Sequence, residues 1–313
     1  MRDEVRKIID NVGQVIIGKE EVAKKLLAAI LADGHVLLED VPGTGKTKLA
    51  KSLAASLGIQ MGRIQFTPDM LPADITGLHV YSRQSESFEL KKGPVFTNIL
   101  LADEINRATP RTQAGLLECM EERQVTIDGE TLELERPFFV IATQNPVETA
   151  GTFPLPEAQT DRFMMKLAMG FPSREEEAAI LQTYSREDPL EKLQAVMTKE
   201  ELLSMKEEAK RVYVHPLVAG YLADVAAATR KQERVTMGVS PRGTLALMRA
   251  AKALACMEGR DYLIPDDVKA LACDVLSHRL VFAYGGRQEE ARALMEEILS
   301  QTPVPVEDFG RRG

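Results

Sequence analysis

A chain of 313 residues with 44% apolar and 27% charged side chains has room for two domains and the composition of an ordinary globular protein. Its 39 basic residues against 47 acidic ones leave a formal net charge of −8, which argues against a general nucleic-acid binder, because such proteins carry a basic surplus. The cysteines Cys119, Cys256 and Cys273 are far apart and make no CxxC pair, so they read as thiols of a reducing compartment rather than as a disulfide or metal framework. No stretch approaches the ~20 uninterrupted apolar residues of a spanning helix. The charged residues 1–7 lack the apolar core of a signal peptide, and a cytoplasmic protein is expected.

In chain order, Val5, Ile8 and Ile9 recur at helical spacing and predict a helix over 3–12; Val22, Leu26, Leu27, Ile30 and Leu31 predict a second over 19–33. Between them Val15-Ile16-Ile17-Gly18 reads as an apolar connector. His35-Val36-Leu37-Leu38-Glu39 is a brief strand-like run that stops in a Gly/Pro-rich turn, and a helical pattern follows at once over 47–57. Further strand-like runs lie at 61–66, 98–102, 138–142 and 163–168, with helical segments between several of them. Such alternation predicts a parallel sheet covered on both faces. Residues 77–92 and 124–135 interrupt the alternation as two inserted hairpins, the second with period-two patterning on both sides of Asp128-Gly129. After Phe171-Pro172, Ser173 is a plausible N-cap followed by Glu175, Glu176 and Glu177, where negative charge favours a helix start. Helical patterns then cover 174–185, 199–211, 216–232, 241–258, 266–279 and 288–300. The expected division is an α/β domain over 1–171, an all-α domain over 172–302 and a Pro- and Gly-rich tail over 303–313.

The densest chemical signal is Asp40-Val41-Pro42-Gly43-Thr44-Gly45-Lys46-Thr47, between a predicted strand and a predicted helix. A glycine-rich turn there lets backbone N–H groups close around phosphate oxygens at the positive end of a helix. Lys46 would reach the β- and γ-phosphates of ATP, and Thr47 would offer its hydroxyl to Mg²⁺. Asp40 stands where a P-loop usually begins with glycine; the half that cradles phosphate is intact. Such a loop needs a carboxylate at the end of another core strand, and Asn98-Ile99-Leu100-Leu101-Ala102-Asp103-Glu104 supplies two. Asp103 would orient Mg²⁺ and Glu104 would act as general base on the attacking water. Past the next strand, Asn145 is the first candidate to touch the γ-phosphate, with Thr143 the weaker choice and a plain Asn-Pro turn the ordinary alternative. Arg162, at the start of the final strand, is placed to reach a neighbour's nucleotide more easily than its own, as an arginine finger supplied in trans. Arg107 and Arg111 could also face an adjacent subunit, and a surface salt bridge is the everyday alternative for all three. Arg242, in Val239-Ser240-Pro241-Arg242 at a helix start, could swing onto the γ-phosphate.

Together these segments resemble the AAA+ superfamily and, more narrowly, the MoxR family. The resemblance rests on Glu39 to Thr47, on Leu100-Leu101-Ala102-Asp103-Glu104-Ile105-Asn106-Arg107-Ala108, on Ala142-Thr143-Gln144-Asn145-Pro146, on Leu155-Pro156-Glu157-Ala158-Gln159-Thr160-Asp161-Arg162-Phe163 and on Ser240-Pro241-Arg242, and covers about residues 10 to 300. It implies a P-loop ATPase core with inserted hairpins and a helical lid, with 77–92 as the helix-2 insert and 123–136 as the pre-sensor-1 hairpin. It implies sensor 1 at Asn145, an arginine finger at Arg162 and sensor 2 at Arg242, acting in its own subunit or on a neighbour. The nucleotide would touch Ile17, Gly18, Pro42, Gly43, Thr44, Gly45, Lys46, Thr47 and Lys48, with Thr47 and Asp103 on Mg²⁺. The resemblance further implies a ring, six subunits being the family's habit, and chaperone-like work with von Willebrand factor A domain partners, including cofactor insertion.

The leading functional expectation is therefore an ATP-driven machine that remodels a protein client. A helicase-like DNA motor is the second reading, opposed by the hairpin at 124–135, which carries four acidic and no basic residues and would repel phosphates. A slow, nucleotide-switched scaffold is the third.

Overall fold

The computed structural model describes residues 1–39, 41, 43–146, 151–283, 285 and 288–306. Pro42, expected in the phosphate loop, and 307–313 of the expected tail lie outside them. Helices α1 (Asp3–Gly13) and α2 (Glu20–Leu31) lead into strand β1 (Val36–Glu39), and α3 (Lys46–Ser56) follows the phosphate loop. Strand β2 (Met61–Gln65), the short helix α4 (Pro72–Thr76) and the hairpin β3 (Gly77–Ser82) with β4 (Ser87–Lys92) come next. Then follow β5 (Ile99–Asp103), α5 (Pro110–Glu122), the hairpin β6 (Gln124–Ile127) with β7 (Glu130–Glu133), β8 (Phe139–Gln144), α6 (Glu157–Thr160) and β9 (Met165–Leu167).

The main sheet runs β2-β5-β8-β1-β9, every pair parallel. Its central strands are apolar up to their carboxyl ends, where Glu39, Asp103 and Gln144 stand, because both faces are covered. Alternation then sorts them: Val36, Leu38, Ile99, Leu101 and Ile141 face one core with α1, α2 and α3, while Leu37, Leu100, Ala102 and Val140 face a second core with α5. In a parallel sheet all strand carboxyl ends lie on one edge, where α/β folds collect their ligands. Both expected hairpins are present. Asp128 and Gly129 have φ of 50° and 87°, the two-residue turn that Asp-Gly favours.

From α7 (Arg174–Tyr184) the chain is mainly helical: α8 (Lys199–Arg211), α9 (Pro216–Arg230), α10 (Pro241–Met257), α11 (Pro265–Leu276) and α12 (Gln288–Gln301). Ser173 caps α7 in a reciprocal box with Glu176. The sequence pattern missed a small antiparallel pair, β10 (Val235–Met237) with β11 (Val281–Phe282). The helical part keeps no core of its own: buried residues of α8, α10 and α11 join α1, α2 and one sheet face in a single cluster. Among the described residues no helix is long and apolar enough to cross a membrane.

Candidate nucleotide site and arginine cluster

The phosphate loop joins β1 to α3 through Gly43 and Gly45, with φ of 88° and 89°, conformations that side chains with a Cβ resist. Gly45 is the residue before α3, and that helix starts with neither a side-chain cap nor an acid in its first turn. The positive amino end of such a helix is a ready anion site. Glu39, at the loop's start, is fixed by Gln144 Nε2 at 2.6 Å and Lys166 Nζ at 2.8 Å. A cavity of about 630 Å³ opens above, lined by residues 43–48, Asp103 and Glu104.

Both carboxylates sit at the carboxyl end of β5, and both are tied down. Asp103 accepts from Thr143 Oγ1 at 2.6 Å and pairs with Arg63 Nη2 at 2.8 Å. Glu104 accepts from Gln65 Nε2 at 2.7 Å and pairs with Arg107 Nη1 at 3.2 Å. The Glu104 N–H donates to Thr143 Oγ1 at 2.9 Å, and its backbone is left-handed with φ of 57°. The Thr143 hydroxyl thus bridges Asp103 and the Glu104 amide, and Asn145 lies half-buried just past the end of β8.

The remaining wall is apolar: Val15, Ile16, Ile17, Ile180 and Tyr184 line it, and the Tyr184 hydroxyl donates to the Val15 carbonyl at 2.8 Å. Lys48 also lines it, but its ammonium lies 2.8 Å from Asp188 Oδ2 and 3.7 Å from the Tyr184 ring centre. Burial works to lower the Lys48 pKa, yet the bonds to Asp188 and Tyr184 outweigh it and leave the pKa raised. The Lys48 ammonium thus reaches the segment after α7. Gly18, at φ of 73°, packs on the Glu176 side chain with no space for a Cβ.

Arg162 and Arg242 are not at this cavity. β9 pairs in parallel with β1, Met165 beside Val36, so Arg162 precedes the amino edge of the sheet while the phosphate loop leaves the carboxyl edge. There Arg162 Nε lies 3.4 Å from Glu121 Oε2, and Arg242 Nη2 lies 2.9 Å from Glu121 Oε1. Both line a smaller pocket with Arg123, Arg249 and Arg279. Arg279, buried behind them, pairs with Asp161 at 2.7 Å and donates to the carbonyls of Asp161, Phe163 and Met164, fixing the segment that carries Arg162. Burial pulls the Arg279 pKa to about 10, against the opposing pull of Asp161. Arg107 is on Glu104, and Arg111 is exposed on α5.

Comparison with known proteins gives the same outline. The model described as ATPase family associated with various cellular activities (AAA) matches residues 35–165, and an AAA lid domain model matches 227–298. The YeaC protein of Bacillus subtilis is 48% identical over 303 residues, 96% of this chain and 95% of that protein. Chaperone MoxR1 of Mycobacterium tuberculosis is 43% identical over 312 residues, 96% of this chain and 82% of that one. Protein MoxR of Paracoccus denitrificans is 32% identical over 93% of this chain and 94% of its own. This chain belongs to the MoxR family of AAA+ ATPases. A crystal structure of a candidate ATPase from Cytophaga hutchinsonii superposes with a TM-score of 0.90 at 39% identity, covering 97% of this MoxR-family chain and 96% of the other.

Four residues at the MoxR-type site escaped the sequence reading. Arg63 and Gln65 end a strand whose neighbour is visible only once β2 lies in register with β5, Gln65 beside Asp103. Tyr184, which lines the cavity, and Asp188, which pairs with Lys48, lie more than 130 residues after the phosphate loop. Neither pair has a local sequence signal.

Proposed function

We propose that this chain binds ATP with Mg²⁺ at its phosphate loop, hydrolyses it where two copies meet, and uses the cycle to remodel a protein client. Residues 1–171 act as the ATPase core and 172–302 as its lid. The observation that carries this reading is the opposition of two half-sites: phosphate loop and acids on the carboxyl edge of the sheet, Arg162 and Arg242 together on the amino edge. Two arginines on the far edge cannot serve their own loop, but they suit the phosphates of an adjoining copy in a closed ring, six being the family's number. That favours the trans role for Arg242.

The residues fit the group. The cavity lies within the range of about 300–1,000 Å³ typical of small-molecule sites. A hydroxyl and a carboxylate, Thr47 and Asp103, are the hard oxygen donors Mg²⁺ prefers, and the ion when bound would neutralise phosphate charge. The amides of 43–47 cradle the phosphates, Lys46 reaches the β- and γ-oxygens, and the wall of Ile16, Ile17 and Tyr184 takes the base. Glu104 takes the proton of the attacking water, for which its carboxylate must leave Gln65 and Arg107. Asn145, beyond the end of β8, reads the γ-phosphate.

Client contact falls to the two hairpins. Tyr81 and Phe88 are 53% and 71% exposed and stack edge to face, with Leu78 and Val80 exposed on the same hairpin. The adjoining acidic hairpin meets it through His79 and Asp128, 2.8 Å apart. An exposed apolar ribbon beside carboxylates suits protein and repels nucleic acid. The test is ATPase rate against protein concentration. The rate per subunit should climb as copies assemble; full rate in a solitary molecule, or none at any concentration, would sink the proposal.

A further inference from the structure

Glu121 occupies the last turn of α5 beside Glu118 and Glu122, with no basic residue in that turn. A helix carboxyl end already carries partial negative charge, so carboxylates there are unfavourable to the helix. Glu121 has another employment. Its two oxygens are divided between two arginines, Oε1 to Arg242 Nη2 at 2.9 Å and Oε2 to Arg162 Nε at 3.4 Å. The pocket around them gathers five arginines, Arg123, Arg162, Arg242, Arg249 and Arg279, against Asp33, Glu121 and Asp161. Two long, like-charged side chains from different elements would not rest side by side in such a place without a carboxylate between them. Arg162 meets Glu121 through Nε, and a guanidinium carries further N–H donors in a planar fork that suits phosphate oxygens.

We infer that Glu121 is a positioning residue for hydrolysis in trans: its carboxylate holds Arg162 and Arg242 together as one unit directed at the terminal phosphates bound by an adjoining copy. The inference rests on the reading above that these arginines complete a neighbour's site. Its chemical content is preorganisation. A flexible guanidinium that must be found and oriented at each turnover contributes less to the transition state than one already held in place. Glu121 does not touch substrate. Its effect passes through the two arginines.

The experiment uses the full chain carrying Glu121→Gln, which keeps the shape and removes the charge, and Glu121→Asp, which keeps the charge on a shorter arm. Glu121→Gln should bind a fluorescent ATP analogue with Mg²⁺ as the parent does, because its own phosphate loop is intact. Its kcat should fall by about 10- to 100-fold with KM little changed, and Glu121→Asp should fall between the two. Mixed with Lys46→Ala, whose arginines are sound, Glu121→Gln should regain activity at hybrid contacts. Mixed with Arg162→Ala it should regain none. A merely structural lesion in α5 would not give that asymmetry. Full or raised activity of Glu121→Gln alone, or rescue by Arg162→Ala and not by Lys46→Ala, overturns the inference. The control is Lys46→Ala with Arg162→Ala: if that pair restores nothing, the trans reading falls and Glu121 with it; if it restores activity and Glu121→Gln with Lys46→Ala does not, Glu121 alone falls.

Discussion

Glu104 holds a left-handed backbone, φ 57° and ψ 50°, that a residue with a Cβ adopts at a cost of about 1–3 kcal/mol. The strain is kept by its surroundings: its N–H is taken by Thr143 and its carboxylate by Gln65 and Arg107. Such a conformation turns the side chain out of β5 toward the cavity instead of along the strand. Glu104→Gln should keep ATP affinity while phosphate release drops by at least about 100-fold; near-normal turnover would remove Glu104 from the mechanism. His35 gives a different residue-level prediction, on stability. It is buried, its Nδ1 accepts from the Val140 N–H at 3.0 Å, and its Nε2 therefore donates to the Met120 carbonyl at 2.9 Å. Burial lowers its pKa from 6.5 to about 4. Between those values the unfolded chain takes up a proton and the folded one does not, so the contribution is complete above pH 6.5 and is lost as pH falls. The loss should reach about 3 kcal/mol by pH 4, seen as a drop in urea midpoint that His35→Gln no longer shows.

The hairpin of β3 and β4 rises from a base where Gly77 and Gly93 pack backbone to backbone, leaving no space for a Cβ on either. That close fit makes the hairpin a firm lever on the core rather than a loose loop. Leu78, Val80, Tyr81 and Phe88 are exposed on it, and an apolar patch of that kind marks a contact site. Replacing Tyr81 and Phe88 together by Ser should change stability by less than about 1 kcal/mol, since both are exposed. It should leave ATPase within about twofold and abolish capture of proteins by the Glu104→Gln form held in ATP. Undiminished capture by the triple variant would move the client site elsewhere.

One core runs from α1 and α2 through a sheet face into α8, α10 and α11, so the lid helix that bears Arg242 and the segment that bears Arg162 are set by the same packing. The cavity above the phosphate loop and the arginine pocket are consequently two fixed poles of one body. Mixing Lys46→Ala with Arg162→Ala, each inactive alone, should restore up to about a quarter of the parent rate if neighbours pair at random and arginines act in trans. No recovery over a range of ratios would mean that each site is completed within its own chain.

Most of the architecture could be read from the chain because its signals are local. Three or four apolar residues before a Gly-rich turn make β1 and its loop, Asp128-Gly129 makes a hairpin, and Ser173 with Glu176 starts a helix. The phosphate loop and the acidic pair are likewise contiguous motifs, so residues and chemistry come together in one reading. Partners distant in sequence were not legible: Gln65 and Arg63 on the acids, the Thr143 hydroxyl between Asp103 and the Glu104 amide, Asp188 on Lys48, Glu121 between two arginines. Local sequence fixes backbone conformation and side-chain chemistry, but strand order and register choose which side chains meet. Those choices are made by burial across the entire fold, and no short stretch of the chain carries them.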